Sequence, residues 1–367
     1  MVSREVAVTT DPYCYDPAET DDYNITAGYS TANDYITYVS GATHTPTFVS
    51  LRVNSFNYTP SRSVINEESF DNVAPAYVMA GGYSLEGSFE ANFRGWDFHL
   101  SNLLLGALGN QTPASVASNA SHGAGYTYEL AQQPATLALK LVDEQGNGTV
   151  IYRGVGITSF NINLQMNQLC TTTVNWIAKR AEPYDVGYNT LSTISGDPAP
   201  FYNPTLKWTP EGGSVETMKC KGFTMNMERP MDRENMYLGS PFLQGLYYNG
   251  LTTLGGTITL GPGDWSRIRT MMAGSETANV LDEGKREFYG SVATGNVIAN
   301  SIPSGQFDII LHSPDGTKEV TKITANVAKL TEASADASGR NMFNKTVNWQ
   351  AQINETDKFT VEVYNPA

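Results

Sequence analysis

Apolar and polar residues alternate in several short segments of the chain, and the clearest case lies at residues 158–166. In this segment, apolar residues at every second position (Phe160, Ile162, Leu164 and Met166) alternate with the amide residues Asn161, Asn163 and Gln165. A period of two predicts a β-strand with one buried face and one polar face. Residues 322–330 show a similar alternation through Ile323, Ala325 and Val327.

The apolar period changes from two to nearly four at two places. Trp96, Leu100, Leu103, Leu104 and Ala107 lie on one helical face before Gly109. The second segment has Trp265, Ile268, Met271 and Met272 before Gly274. Each pattern predicts one short helix that ends at a glycine.

The string Thr-Val-Asn-Trp occurs twice, at 173–176 and 346–349, and its surroundings repeat as well. Phe56 corresponds to Phe223, and Leu85-Glu-Gly corresponds to Leu254-Gly-Gly. Strands that run into acidic, glycine-containing turns are predicted at 136–148 and 306–318. Several matches at similar offsets indicate an internal duplication.

Four segments follow from this repeat: an acidic N-terminal arm at 1–45, a first copy at 46–181, a linker at 182–214 and a second copy at 215–367. In the second copy we expect the polar segment 331–341 to form a loop between the last two strands. The abundance of Gly (33 residues) and the short alternating segments favour a mainly β protein.

The charge of the chain excludes some classes of partner. The net charge is −14, from 37 acidic and 23 basic residues, and residues 1–50 contain seven acids and one Arg. Such a surface does not grip nucleic acid through phosphate contacts and does not favour an anionic membrane. Three cysteines are no disulfide framework, and the N-terminus lacks the apolar core of a signal peptide. No apolar run is long enough to span a membrane.

The sequence offers little support for an active site or a metal site. The four histidines, His44, His99, His122 and His312, are scattered without metal-ligand spacing. Acid pairs such as Glu67 with Asp71, or Asp282 with Glu283, resemble glycosidase or Ca²⁺ carboxylates in composition only. No phosphate-binding or nucleophile motif is present. We therefore expect no enzyme, no cofactor and no bound metal.

Four tryptophans have a structural interpretation. Trp176 and Trp349 close the two repeated strings, and Trp96 and Trp265 open the two predicted helices. Large aromatic residues dominate protein cores, so we expect these four to anchor the core and the helices. Carbohydrate stacking is the alternative for Trp176 and Trp349.

The order of elements resembles that of the tail tube proteins of long-tailed bacteriophages. Two blocks carry the resemblance, "LEGSFEANFRGWDFHLSNLLLGALG" and "YRGVGITSFNINLQMNQLCTTTVNWIA". It covers residues 45–180 and, more weakly, 215–363. The resemblance implies two tandem homologous β-sandwich or barrel domains, each with one short flanking helix.

The resemblance also implies a function. Members of the family form six-fold rings that stack into a tube for genome DNA, and double-length subunits close as homotrimers. It implies a place in the virion tail, assembly in the bacterial host cytoplasm, and contacts with the tape measure, tail tip and terminator proteins. DNA would pass without specific binding, and no membrane is involved. The alternatives are a tail-tip or baseplate ring and a carbohydrate-binding β-sandwich adhesin.

Two long segments after the first strand of each copy, 61–82 and 228–250, exceed the length of a plain hairpin. They mix charge with aromatic residues, as protein interfaces do. We expect inter-ring contacts from the following residues: Arg62, Glu67, Glu68, Phe70, Asp71, Arg229, Arg233, Glu234, Phe242 and Tyr247. We also expect the faces that line the channel to carry acids, amides and hydroxyls, with few Lys or Arg.

Overall fold

The computed structural model describes most of the predicted strands. The described residues are 4–10, 49–51, 53–67, 77–92, 103–104, 106–109, 114–132, 137–143, 148–183, 200–210, 214–233, 236, 243, 246–260, 304–313, 316–336, 344–354 and 358–364. Trp96, the predicted helix after Trp265, and Glu68, Phe70, Asp71, Glu234 and Phe242 lie outside them.

Within the described ranges, seventeen strands form one sheet system, and nine of them lie in the first half of the chain. These nine are β1 (Arg4–Thr10), β2 (Val49–Leu51), β3 (Val53–Glu67), β4 (Tyr77–Asn92), β5 (Ala114–Val116), β6 (Gly125–Glu129), β7 (Leu137–Asp143), β8 (Gly148–Gln165) and β9 (Thr171–Pro183). The other eight are β10 (Thr205–Pro210), β11 (Glu216–Met218), β12 (Cys220–Glu228), β13 (Thr253–Leu260), β14 (Ser304–His312), β15 (Glu319–Asp336), β16 (Asn344–Ala351) and β17 (Phe359–Tyr364).

The predicted mainly β class is confirmed, and all the pairings between named strands are antiparallel. The described strands do not close into a barrel, since β3 pairs with β4 alone.

The two halves of the chain have the same order of paired strands. In the first half the order is β1–β7–β8–β9–β4–β3. In the second half it is β10–β14–β15–β16–β13–β12. Each strand of one series therefore has a counterpart in the other.

Irregularities in the ladders occur at matching places in the two halves. The register shifts at Ile157/Ser159 where β8 meets β9, and at Leu330/Glu332 where β15 meets β16. In both cases the partner is the repeated Asn-Trp of β9 or β16. A β-bulge bends its strand and increases the local twist, so β8 and β15 bend at the same point.

These bulges correct two predictions from the sequence. Thr331 occupies the place of Thr158, so residues 331–336, expected as a loop, continue β15 and pair with β16. The counterpart of the alternating segment 158–165 is thus the polar segment after residue 330 and not residues 322–330. The alternation in 322–330 also breaks: a register shift at Gly305/Phe307 leaves Val327 half-buried and places Ala328 in the core.

The repeated Thr-Val-Asn-Trp string packs its tryptophan over a glycine of the neighbouring strand. Trp176 pairs with Gly87, and Trp349 pairs with Gly256. Both indoles are buried. A methyl group on Gly87 would meet the Trp176 ring, and one on Gly256 would lie 3.1 Å from Trp349 Nε1. The Leu-x-Gly match and the Trp match of the sequence are therefore two sides of one contact, and both tryptophans belong to the buried core cluster.

One continuous core serves both halves. Buried residues of the first half, such as Phe160 and Leu104, and of the second half, such as Met225, Ile323 and Phe359, line a common void of about 10 Å³. Leu104 belongs to the first predicted helix, of which residues 103–104 and 106–108 are helical and Gly109 has a φ of 110°. The positive φ explains why a glycine follows this helix.

The C-terminal strand ties the second half to the first. β17 pairs with β15 on one side and with β6 on the other. The His122 ring stacks on Tyr364 with centroids 3.8 Å apart, and Lys358 Nζ donates to Glu129 Oε2 at 2.7 Å. His122 is thus held in a structural contact.

Segments expected outside the two copies also contain strands. β1 pairs with β7, although it lies in the expected acidic arm. β10 pairs with β14, although it lies in the expected linker, and it contributes the buried Trp208. Met166, expected on the apolar face, is 49% exposed because β8 ends at Gln165.

The long segment 61–82 is mostly an extended β-hairpin. Its two strands remain paired to Glu67 and Tyr77, with a register shift between Arg62 and Val64. Several apolar side chains of the hairpin are at least half exposed: Val64, Ile65, Val78 and Met79. The hairpin therefore extends beyond the core and presents apolar surface.

We predict that Gly87→Ala destabilises the fold by about 1–3 kcal/mol, the usual cost of overpacking. The new methyl group would press on the Trp176 ring and lie 2.5 Å from the Asn57 carbonyl oxygen. Chemical unfolding followed by tryptophan fluorescence measures the change. Gly222→Ala is the matched control, because its nearest neighbour would be the Leu164 carbonyl oxygen at an ordinary 3.5 Å. Equal unfolding midpoints for the two variants would contradict the Trp–Gly contact.

Candidate assembly surface

Eight consecutive strands form the continuous part of the sheet that spans both halves. Their order is β3–β4–β9–β8–β12–β13–β16–β15. The link between the halves is the pairing of β12 with residues 159–165 of β8. We call these eight strands the spanning sheet.

One face of the spanning sheet is polar along its whole width. A single row of neighbouring positions crosses seven strands: Asn92, Thr171, Asn163, Thr224, Thr257, Asn348 and Glu332. The next row consists of Ser55, Glu90, Thr173, Asn161, Asn226, Gly255, Gln350 and Lys329. The opposite face contributes Phe89, Val174, Phe160 and Met227 to the core. Alternation along each strand thus separates an apolar face from a polar one.

Hydrogen bonds between polar side chains connect neighbouring strands on this face. Asn175 Nδ2 donates to Ser159 Oγ at 2.6 Å, and Asn348 Nδ2 donates to Glu332 Oε2 at 3.0 Å. The Thr224 and Thr257 hydroxyls lie 2.8 Å apart. Such cross-strand side-chain pairs stabilise a sheet.

The charge of the polar face is negative. The two rows contain two acids, Glu90 and Glu332, and one base, Lys329 at the β15 end. Glu86 and Glu228 occupy the same face at its rim, where Arg233 Nη1 donates to Glu86 Oε2 at 2.7 Å. This pair is about half exposed and adds little stability.

The joint between β8 and β12 is an ordinary antiparallel ladder. It runs from Gly222 opposite Gln165 to Glu228 opposite Ser159. Beyond its ends, Met166 N donates to Lys221 O at 2.9 Å and Arg229 N donates to Thr158 O at 2.8 Å. Residues 158, 160, 162 and 164 of β8 therefore direct their backbone groups to β12.

Both outer edges of the spanning sheet are unpaired among the described strands. β3 pairs only with β4, and residues 330–336 of β15 pair only with β16. The open edge of β3 corresponds to the edge of β12 in the internal joint, and the open edge of β15 corresponds to that of β8. An open edge offers unpaired N–H and C=O groups to another strand.

Arg229 was expected at an inter-ring contact, and this prediction is wrong. The side chain is 2% exposed, and its guanidinium donates to the Ala107 carbonyl at 3.0 Å and to the Ala131 carbonyl. It lies 3.8 Å from the Tyr248 ring centroid. Burial lowers the pKa of Arg229 and raises that of Tyr248 to about 12, so the ring faces the guanidinium in its neutral form.

The segment that follows Arg229 covers the first half. Met231, Leu243 and Leu246 form a small buried cluster with Ile177 of β9. A methyl group on Gly156 of β8 would meet Met231 and Leu246. The part of 228–250 that the structure describes is thus an internal clamp between the halves.

The other predicted contact residues are dispersed. Arg62 lies exposed in the hairpin, and Glu67 ends the β3 ladder. Arg233 pairs with Glu86, and Tyr247 is 59% exposed. Sequence reasoning did not locate the open edge of β15, because a loop was expected where β15 continues.

No group of three or more potential metal ligands occurs among the described residues. Burial raises the pKa of Cys170 to about 12, so its thiol stays protonated. An open cleft of about 430 Å³ lies beside Trp176, Glu86 and Arg233 at the rim of the polar face. None of the described helices combines the length and hydrophobicity that a membrane crossing needs.

A mainly β chain with one polar sheet face and two open edges has the features of a structural protein that associates through its sheet. The sequence matches the family model described as phage tail tube protein over residues 18–280, which is 263 of 367 residues. The chain therefore belongs to the phage tail tube protein family, whose members are structural components of the virion tail. A search of curated proteins gave no match.

We predict that Arg229→Ala lowers the free energy of unfolding by about 2–4 kcal/mol, because two buried carbonyl groups lose their donor. Thermal and urea unfolding of the purified chain measure the effect. Arg233→Ala is the matched control, since it removes only an exposed ion pair and should change stability by less than about 1 kcal/mol. Equal effects of the two variants would contradict the clamp.

Proposed function

We propose that this chain is a double-length tail tube protein that closes as a homotrimeric, pseudo-hexameric ring and stacks into the tail tube. The carrying observation is that the two open edges of the spanning sheet match the two edges already joined inside the chain. A neighbouring copy is the occupant that fits both edges. The same strand order and the same bulges in both halves support an origin by duplication and fusion.

The internal joint supplies a register for the joint between chains. Transferring the β12–β8 pairs to their counterparts sets Ser61 of one chain opposite Glu332 of the next, and Asn57 opposite Asp336. Pro60 corresponds to Met227, whose backbone N–H faces β8 in the internal joint. Proline is tolerated at an edge strand, and here it removes one bond from the intermolecular ladder.

The joint is head-to-tail, so it gives a closed ring when its rotation closes, and in this proposal three chains close it. Three chains with eight spanning strands each give 24 strands (3 × 8) around the axis. In that ring every second joint lies between two halves of the same chain. The covalent connection raises the effective concentration of the neighbouring half at those joints.

The polar face is suited to line the channel. Its amide and hydroxyl groups carry no charge, and its acids repel DNA phosphates, so the duplex passes without binding. Three chains carry a formal charge of −42 (3 × −14). Salt screens this repulsion beyond about 8 Å, which confines it to the vicinity of the wall.

Stacking of rings requires a second kind of contact, and we assign it to the hairpin formed by β3 and β4. Its exposed Val64, Ile65, Val78 and Met79 offer apolar surface beyond the core. Glu67 and the neighbouring Glu68, Phe70 and Asp71 belong to the same segment. The expected setting is the virion tail after assembly in the host cytoplasm, with tape measure, tail tip and terminator proteins as further partners.

Electron microscopy of the purified protein tests the proposal. Long tubes with a central channel support it. Isolated rings would favour the tail-tip or baseplate alternative, and monomers retained on a glycan column would favour the adhesin. A persistent monomer without a channel in any assembly would refute the tube.

Edge pairing predicts opposite effects for two adjacent proline substitutions in β15. Ala333→Pro removes an N–H that faces the open edge, so the monomer should unfold at nearly the wild-type temperature while ring formation is lost. Ser334→Pro removes an N–H that faces β16 and should lower the melting temperature. Sedimentation velocity and thermal unfolding give the two readouts. Normal rings from Ala333→Pro would rule out the β15 edge as the joint.

A basic substitution on the polar face should convert the wall from repulsive to adhesive. We expect tubes of Asn161→Lys and Asn226→Lys to bind duplex DNA at low salt, with affinity that falls steeply as salt increases. Wild-type tubes should show no such binding in fluorescence anisotropy. Matched Asn→Gln variants control for the change in size, and DNA binding by the Gln variants would contradict the charge argument.

A further inference from the structure

Arg229 has a counterpart in the first half of the chain. The β3–β4 and β12–β13 ladders keep the same register from Phe56 and Phe223 up to Ser61 and Glu228. The next residue is Arg62 in one half and Arg229 in the other. The two arginines therefore follow equivalent strands at the same step.

Their environments differ. Arg229 is buried against the first half, where its backbone N–H continues the β12–β8 ladder and its guanidinium binds two backbone carbonyls. Arg62 is exposed, and none of the described strands lies beside the open edge of β3. Arg229 has its partner half within the chain, whereas no described part of the chain occupies the equivalent place beside Arg62.

We propose that Arg62 of one chain locks the joint to the next chain as Arg229 locks the joint within the chain. Its backbone N–H would donate to the Thr331 carbonyl of the neighbouring copy, the counterpart of Thr158. Its guanidinium would be buried on the second half of that copy. The inference rests on the proposed β3–β15 joint and places Arg62 within a ring, not between rings.

A buried guanidinium makes such a joint specific. The charge is solvated in the free chain, and it enters the joint at an acceptable free energy only if carbonyl acceptors replace the water. A shift of the ladder by one residue would bury the charge without those acceptors, which disfavours the shifted register. The backbone hydrogen bonds of a polar edge strand alone would permit several pairing registers. Burial of Arg62 selects one of these registers.

The neighbouring chain presents the same edge groups as the first half does. The bulges at Thr158 and Thr331 are in equivalent positions, and both lie beside the repeated Asn-Trp pair. The Thr331 hydroxyl donates to the Asn348 carbonyl on the β16 side at 3.4 Å, and the side chain is exposed. The counterparts of the Ala107 and Ala131 carbonyls lie outside the described residues.

Substitution of the two arginines separates folding from assembly. We expect Arg62→Ala to unfold within about 1 °C of the wild type, as an exposed substitution should. Its concentration for half-maximal ring formation, measured by sedimentation velocity, should rise at least about tenfold. Arg62→Lys should be impaired to an intermediate degree, since lysine cannot span two acceptors in the planar guanidinium geometry. Arg229→Ala should instead lower the unfolding temperature of the monomer.

Three outcomes overturn different statements. Wild-type protein that forms no ring would refute the proposed function itself. Wild-type rings together with unimpaired rings of Arg62→Ala would refute only the role of Arg62. Normal rings of Arg62→Ala that fail to stack would place Arg62 between rings and would overturn its place within the ring.

Discussion

The structure depends on how the backbone groups at the edges of a sheet find partners. An unpaired edge presents N–H and C=O groups that pair with any strand of suitable shape. Within the chain, β12 pairs with residues 159–165 of β8, so the backbone groups of both edges have partners there. This joint merges the two halves, and it leaves two outer edges that are complementary by the same geometry. The clamp around Arg229 and the common core both follow from it.

The spanning sheet must present different chemistry on its two faces while its strands bend. Strict alternation provides the faces, and bulges at Ile157/Ser159 and Leu330/Glu332 provide the bends. Gly87 and Gly256 give Trp176 and Trp349 room to lie flat against the neighbouring strand. These positions explain why the repeated string ends in tryptophan and why its partner strand contains glycine.

Local patterns predicted the elements, whereas tertiary context decided how the two halves correspond. The strand at 158–165, the paired strands β7–β8 and β14–β15, the helical residues before Gly109 and the core tryptophans followed from periodicity and turn chemistry. Residues 331–336 were expected as a loop because Ala, Ser, Glu and Asp carry no apolar alternation. Their pairing with β16 supplies the stability that their side chains lack. Arg229 resembled a surface residue in the sequence, because its acceptors at Ala107 and Ala131 are about 100 residues or more away along the chain. β10 was not predicted, because it is short and lies in a segment that is rich in proline and glycine.

The acids on the polar face do not occupy equivalent positions in the two halves. Glu86 and Glu90 of β4 correspond to Gly255 and Thr259 of β13, while Glu228 and Glu332 correspond to Ser61 and Ser159. The backbone thus repeats six times around the axis of the proposed ring, but the electrostatic potential repeats only three times. The electrostatic energy of a duplex in such a channel would therefore vary three times per full rotation of the duplex about the axis. The backbone that creates this potential repeats six times over the same rotation.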